Sequence, residues 1–405
     1  MRNQTVLISG ASIAGPALAY WLSRYGFDVT VVEKAPVLRP GGQAVDFKGR
    51  THRTVLERMG IWDEIQRRQT GKTDTVCLDG AGRQRAVMSG EFTGGDVEIL
   101  RGDLAAIMYE RTAAGCDYRF GDSITTLTET ATGVEVTFER GPAQTFDLVI
   151  GADGIHSRVR RLAFGPERDY VHHLGYYYSV AGAPGWGHDG QRRERLTARA
   201  WMAPGRSAVC GGSKASQLYV FASPELDYDR GDTSAQRRLV ADRFAGLGGE
   251  VPSMLADLGH LDGFYLDAIA QVRMDGRYTA GRVALLGDAA YGNTLGGFGT
   301  GLAVVGAYVL AGELAAAAGD HTAAYTRYEE IMRGYAKIAG NVNTGRFLAP
   351  KTALGLRARN WFLRSRAFGL MMKYTDNKAN DIDLADYPAQ CLAAATCRSR
   401  SSVGG

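Results

Sequence analysis

Apolar residues along this chain come in short runs separated by glycine-bearing turns. Thr5-Val6-Leu7-Ile8 predicts a buried strand, Ala17 to Leu22 a helix directly after it, and Asp28 to Val32 a second strand. Apolar positions at helical spacing around Thr51, Leu56, Met59 and Ile61 predict another helix, and Leu104 to Arg111 a further one. Between them, residues 72–98 read as short strands broken by Asp79-Gly80 and Gly94-Gly95. Ser123 to Phe138 alternates in period two about Ala131-Thr132-Gly133, the pattern of a hairpin, and Phe146 to Ile150 is a strand buried on both faces. From about 172 to 272 the runs Tyr176 to Val180, Arg199 to Met202 and Gln217 to Phe221 predict a second sheet, with one helix near Ala235 to Leu247. Arg282 to Leu286 is a last short strand; the pattern is then helical to about 375, and the Ser-, Arg-, Ala- and Gly-rich tail after Tyr387 reads as disordered.

Composition narrows the class of protein. A chain of 405 residues with 45% hydrophobic and 22% charged side chains can bury a large core, as one interleaved unit or two domains. A net charge of only +4, without a long basic run, speaks against nucleic acid as a partner. The clusters Arg158, Arg160, Arg161 and Arg192, Arg193, Arg195 read as solvated faces, or as attraction for a phosphorylated nicotinamide cofactor. Cys77, Cys116, Cys210, Cys391 and Cys397 are scattered and odd in number, which suggests reduced thiols and a cytoplasmic location. Adjacent His172 and His173 would point to opposite faces of a strand, so no metal site is expected. The first apolar run is needed as a strand, which leaves no signal-peptide pattern. Leu302 to Ala318 is apolar enough to raise a membrane question, but it contains Glu313 and falls short of the roughly 20 residues a span requires; it predicts a buried core helix.

Three glycine motifs carry the chemistry. Gly10-Ala11-Ser12-Ile13-Ala14-Gly15 lies between the first strand and helix. Gly10 suits a sharp exit from the strand, Gly15 a close helix contact, and the free amides at Ser12, Ile13 and Ala14 a pyrophosphate. Ser12 stands where a dinucleotide fingerprint prefers its middle glycine. Glu33, with Lys34 beside it, closes the second strand 18 positions after Gly15, near the offset of a ribose-binding acid. At this point NAD and FAD are both open, and so is an ordinary turn. The second motif, Gly151-Ala152-Asp153-Gly154, follows a buried strand, as does the third, Gly287-Asp288. The third leads into Gly296-Gly297-Phe298-Gly299-Thr300-Gly301 and the apolar helix, whose amides and dipole suit negative charge on a reduced flavin.

In this order the motifs resemble the FAD-dependent class A aromatic hydroxylases typified by p-hydroxybenzoate hydroxylase, a family that includes tetracycline-modifying and polyketide-tailoring monooxygenases. The resemblance covers roughly residues 4–375. It implies an α/β fold: a Rossmann-like FAD-binding domain of the GR2 type in three parts (1–71, 99–170, 276–322), interleaved with a substrate domain on a mixed β-sheet (72–98, 171–275). A C-terminal helical region (323–387) and a disordered tail (388–405) follow. It further implies that Asp288 binds the ribitol, Glu33 the ribose, and that Asp153-Gly154 lies near the pyrophosphate and the nicotinamide entry path. Arg39 and Asp46, in a segment that reaches toward the flavin, and Arg101, which borders it, are carried over on matching motifs, as are Gly297, Gly299, Thr300 and Gly301. The stretch Gly292-Asn293-Thr294-Leu295 departs from the family: it has none of the usual prolines, leaving its backbone free to move or to reshape the oxygen pocket.

The activity so implied is FAD-dependent oxygenation, most simply hydroxylation, of an aromatic or polycyclic molecule such as a polyketide. NADPH or NADH is the transient reductant, O2 the co-substrate, and a flavin C4a-hydroperoxide the oxidant. No catalytic side chain is assigned, because the flavin carries the chemistry. Tyr177, Trp201, Met202, Phe221 and Tyr265 are candidates for a flat substrate pocket, with core packing the competing role for each. The rivals are a non-redox cyclase or binding scaffold that retains FAD, and a flavin oxidase or dehydrogenase. The resemblance implies a monomer or homodimer.

Overall fold

The computed structural model describes residues 3–39, 42–182, 195–213, 215–338, 340, 342–366, 368 and 381–387. The tail from 388, with Cys391 and Cys397, and the side chains of the Arg192, Arg193, Arg195 cluster lie outside the described residues.

The first architectural layer is a six-stranded sheet in the order Thr279–Ala280, Val283–Leu285, Leu148–Gly151, Thr5–Ser9, Asp28–Glu33, Asp117–Phe120. All its pairs are parallel except the two-residue edge strand. Val6, Leu7, Ile8, Leu148, Val149 and Ile150 are fully buried, as continuous apolar runs in a sheet covered on both faces must be. Helix Ala14–Arg24 packs against the sheet and against the long helix Gly299–Ala316. That long helix, apolar on every side, is the one described helix long and apolar enough to cross a membrane; most of it is buried inside the protein, as in a core helix.

A second, mixed sheet has seven strands in the order Tyr265–Val272, Val171–Ala181, Gln217–Ala222, Arg206–Cys210, Arg195–Ala203, Lys72–Leu78, Gln84–Met88. Lys72–Leu78 runs parallel to Arg195–Ala203 and every other pair is antiparallel. Two sequence-distant segments thus build one sheet, and the fold is the expected one: a Rossmann-like half interleaved with a mixed-sheet half, plus C-terminal helices. Helices Thr233–Phe244 and Val251–Leu258 cover one face of this sheet through Val240, Phe244, Val251 and Met254. Segments Thr344–Leu348 and Ala353–Arg364 pack on the other, against Val220, Ile269, Met202 and Met88.

Candidate cofactor and substrate cleft

Register places the three glycine motifs side by side. Ser9 pairs with Gly151, and Gly151 with Leu285, so the loops starting at Gly10, Ala152 and Leu286 leave three adjacent strands at one level. This is the crevice at the carboxyl ends of an open parallel sheet, where ligands bind. Close approach explains the glycines. A Cβ on Gly10 would stand 2.5 Å from the Ala152 carbonyl oxygen, and one on Gly15 would stand 1.9 Å from that of Gly10. Gly287 adopts φ +63° with the Ala14 and Ala303 methyls facing it.

Two helix N-termini open on this crevice. Neither Ala14–Arg24 nor Gly299–Ala316 has a side-chain cap or an acid in its first turn, so their amides and positive dipole ends suit anionic groups. Ser12 does not obstruct the first: its hydroxyl accepts a hydrogen bond from Arg101 Nε (3.0 Å). Glu33 closes the loop from the far side, with Oε2 accepting from Ala11 N and Oε1 from Ala35 N, both at 2.8 Å. Lys34 and Arg39 are exposed nearby in sequence, and Asp46 is half-buried opposite Glu98.

Asp288 is solvent-accessible yet walled in by protein, the setting of a side chain on the floor of a deep cleft. The walls push its carboxyl pKa up, and Arg101 pulls it back down. Asp153 is also pushed up by burial, against hydrogen bonds from Ser157 Oγ (2.5 Å) and the Arg158 amide (2.8 Å). Arg160, fully buried, ties the second motif to the third: Nη2 donates to Ile155 O (2.5 Å) and Nη1 to Ala289 O (2.9 Å). The proline-free loop is pinned to the second sheet. Thr294 N donates to Ala270 O (3.0 Å), Val272 N to Gly292 O (2.8 Å), and Thr344 Oγ1 to Leu295 O (2.8 Å), with Leu295 at φ +58°.

The second sheet roofs the cleft with one face only. Tyr178 and Tyr265 stand 5.9 Å apart, ring to ring, and both feel the charge of Arg101. Burial raises both phenol pKa values well above the ordinary value. Tyr265 OH donates to Asp267 Oδ2 (2.6 Å), and His156 Nε2 and Nδ1 meet Asp267 Oδ2 and Glu167 Oε1, each at 2.9 Å.

Most of the expected pocket residues require correction. Tyr177, Trp201 and Phe221 belong to the buried cluster beneath Phe244 and Val240, on the face turned away from the cleft. Alternation along a strand sends neighbours to opposite faces, so Tyr178, not Tyr177, is on the cleft side, though it too is only 6% exposed, packed with Val220 and Ile269. Met202 is on the cleft face but is 5% exposed, packed with Leu363 and Phe368. Tyr265 alone of the five is well exposed, at 40%. Tyr178, His156 and Asp267 were not among the expected site residues, and Arg160, read as part of a solvated cluster or a lure for a phosphorylated cofactor, is not solvated but fully buried. His156 and Arg160 stand just after the second motif, but Asp267 comes from a remote strand and Ala289 from the short helix Asp288–Tyr291.

The donor set fits a flavin dinucleotide: crowded glycine turns, two open helix ends, a guanidinium and two carboxylates around one crevice. A family model described as FAD binding domain matches residues 3–331. The chain belongs to that family, the FAD-dependent class A aromatic hydroxylases, and is an FAD-dependent monooxygenase. Among its relatives, the Flavin-dependent monooxygenase of Legionella longbeachae serogroup 1 (strain NSW150) is 37% identical over 346 residues, 82% of this chain and 86% of that protein. Uncharacterized protein Rv1260 of Mycobacterium tuberculosis (strain ATCC 25618 / H37Rv) is 40% identical over 347 residues, 82% and 90% of the two chains. The crystal structure of the tetracycline destructase Tet(51) matches with a TM-score of 0.79 at 30% identity, covering 95% of this chain and 100% of that one.

Proposed function

We propose that the protein is a single-component enzyme that draws electrons from NADPH or NADH and places one atom of O2 on an aromatic or polycyclic molecule, most simply as a hydroxyl group. The observation that carries this is the meeting of Arg101, Asp288 and two open helix ends beneath the Tyr178–Tyr265 face of the second sheet. Gly10, Ser12, Ile13, Ala14, Gly15, Glu33, Arg101, Asp153, Gly287, Asp288, Gly299, Thr300 and Gly301 would hold FAD. Lys34, Arg39, Asp46, Gly154 and Gly297 complete that proposed set at its edges. When bound, FAD supplies the electron transfer and the oxygen activation. The chain's own contribution is binding and placement. Asp288 accepts from a ribitol hydroxyl, Glu33 offers remaining lone pairs to the ribose, and the amides from Gly299 to Gly301 stabilise negative charge at the ring edge. Tyr178 and Tyr265, tilted 60° to each other, exclude water and leave the exposed Tyr265 ring to meet the substrate. The likeness to a tetracycline destructase supports a polycyclic substrate. The proposed working form is a cytoplasmic monomer or homodimer.

The test is to purify the protein, record its flavin spectrum, and follow NADPH consumption in air with a panel of aromatic and polycyclic compounds. Flavin bleaching by NADPH with formation of an oxygenated product is the expected result. Bound flavin that NADPH never bleaches, even with substrate present, would leave a scaffold. Reduction that yields only hydrogen peroxide would mark an oxidase.

A further inference from the structure

A cavity of about 480 Å³ opens at the end of the second sheet, where the turn after Ala203 meets the end of strand Gln217–Ala222. None of its walls belongs to the FAD crevice. Three cations line it, Arg206, Arg243 and Lys351, together with Gly205, Phe221 and Ser223, and no carboxylate does. Each cation is held by a neutral partner. Arg206 Nη1 donates to Arg243 O (2.9 Å) and Ala245 O (3.4 Å), at the end of helix Thr233–Phe244. The guanidinium carbon of Arg243 is 5.9 Å from the Phe221 ring centroid, and Lys351 Nζ is 5.2 Å from that of Tyr176. Gly175, at φ +82°, leaves room for that ammonium, since a methyl on it would stand 3.2 Å from Lys351 Nζ.

Among the described residues no carboxylate forms an ion pair with any of the three. Several cations elsewhere on the surface do find one: Arg85 pairs with Asp79 (2.6 Å), Arg119 with Asp117 (2.8 Å) and Arg158 with Glu139 (2.5 Å). Like charges gathered around one concavity repel one another, and a bound anion turns that repulsion into attraction. Side chains already held by rings and carbonyls also lose less freedom on binding than those on an open face. Ser223 is 5% exposed and its Oγ has no hydrogen-bond partner, so the wall carries an unsatisfied hydroxyl as well.

The donors exceed what a carboxylate can use. Two guanidinium forks and an ammonium match a tetrahedral dianion with three free oxygens, as in a phosphate monoester. The volume falls within the roughly 300–1,000 Å³ of small-molecule sites, so more than a bare phosphate fits. Of the arginines that the sequence offers to a phosphorylated cofactor, Arg160 is buried and Arg158 is taken by Glu139, which leaves this cavity as the uncompensated cluster.

We propose that Arg206, Arg243 and Lys351 form a second ligand site, separate from the FAD crevice, which takes the phosphate group of a small phosphorylated molecule. The site stands independently of the oxygenase reading. Its wall is tied to the loop beyond Asp288: Pro350 O accepts from Gly205 N (2.7 Å), and Thr344, earlier in the same segment, holds Leu295 O (2.8 Å). A ligand bridging Lys351 to Arg206 therefore braces the segment that anchors the proline-free loop.

The test uses FAD-loaded full-length protein, so that nucleotides cannot enter the FAD crevice, and calorimetric titration at constant ionic strength with inorganic phosphate, AMP, adenosine, NADP+ and NAD+. The wild type is expected to bind inorganic phosphate, and to hold AMP about tenfold or more tightly than adenosine, the scale of one charge-assisted hydrogen bond. In the double variant Arg243→Gln, Lys351→Met, AMP and adenosine should come within about twofold of each other. Arg357→Gln, an exposed cation outside the cavity, should keep the wild-type preference. In the wild type alone, AMP should raise the melting temperature more than adenosine at the same concentration, which decides the matter even if a variant fails to fold. A preference for NADP+ over NAD+ that the double variant loses identifies the 2′-phosphate of the nicotinamide co-substrate as the occupant. Binding of phosphate and AMP without that preference identifies a separate phosphorylated ligand. The proposal is overturned if the wild type binds no phosphate-bearing probe more tightly than its phosphate-free counterpart, or if Arg357→Gln weakens binding as much as the double variant does. None of these readouts requires NADPH oxidation, so failure of the oxygenase reading would leave them unchanged.

Discussion

Asp288 shows how much one side chain can carry when the backbone has already placed it. Its carboxylate sits on the floor of the cleft, beside Gly299, at the point where the third strand ends. Replacing Asp288 by Ala should weaken FAD retention by about 1–3 kcal/mol, the loss of one acceptor that bound FAD would bury. The ratio of flavin to protein absorbance after extensive dialysis measures it; unchanged occupancy would remove Asp288 from the proposed site. Arg160 acts differently, because its guanidinium donates to backbone carbonyls of two motif loops. Arg160→Met leaves those carbonyls unsatisfied and should cost about 2–5 kcal/mol in urea unfolding. At this scale the sequence was most legible where backbone geometry dictates identity, as at Gly10 and Gly15. It was least legible for Tyr177 and Tyr178, where the same residue type occupies both faces of a strand and only the packing of Phe244 on one of them decides which is core.

Among the elements, the fingerprint turn and its helix are constrained by contact rather than by flexibility. Gly15→Ala would drive a methyl into the Gly10 carbonyl, which no side-chain rearrangement can relieve. We expect this variant to purify without flavin. Gly26→Ala is the control: Gly26 has φ +85° but a methyl there would meet nothing within 4 Å, so the change should cost about 1 kcal/mol of backbone strain and keep the flavin. Strands and helices with long periodic patterns were readable in advance, among them the hairpin of Ile124–Glu129 with Val134–Phe138 and the core helix Gly299–Ala316. Arg206–Cys210 was not, since its run of five residues lacks a distinct apolar alternation and is held as a strand by neighbours on both sides. Nor could the proline-free loop be read: its anchors, Ala270, Val272 and Thr344, lie outside it in sequence.

At the level of the whole molecule, two histidines give opposite pH dependences. His52 is 2% exposed, and burial drops its pKa from the usual 6.5 to about 4, against the pull of Asp381 and Asp96. Below pH 6.5 the unfolded chain binds a proton there that the folded one refuses, so stability falls as pH drops toward 4. For His156 burial works against the imidazolium and so does Arg230, but hydrogen bonds to Asp267 and Glu167 prevail and raise its pKa above 6.5. The stability it contributes is present below 6.5 and disappears as pH rises through the raised value. The expected outcome in thermal melts is an optimum near pH 6.5, with His156→Gln losing the alkaline slope and His52→Gln the acidic one. His156 also joins the second motif to the edge strand Tyr265–Val272 of the other sheet, so the alkaline slope reports on the seam between the two halves.

The sequence by itself determined the cofactor class, because a dinucleotide crevice needs small residues and acids at fixed places after strands, and those needs are local enough to be written in order along the chain. It also determined that a second sheet interrupts the first. The tertiary structure decided which face of that sheet roofs the cleft, what holds the loop beyond Asp288, and that His156, Asp267 and Tyr265 form one chain of hydrogen bonds. Each of these depends on contacts between residues far apart in sequence, and periodicity within a segment carries no information about what packs against it.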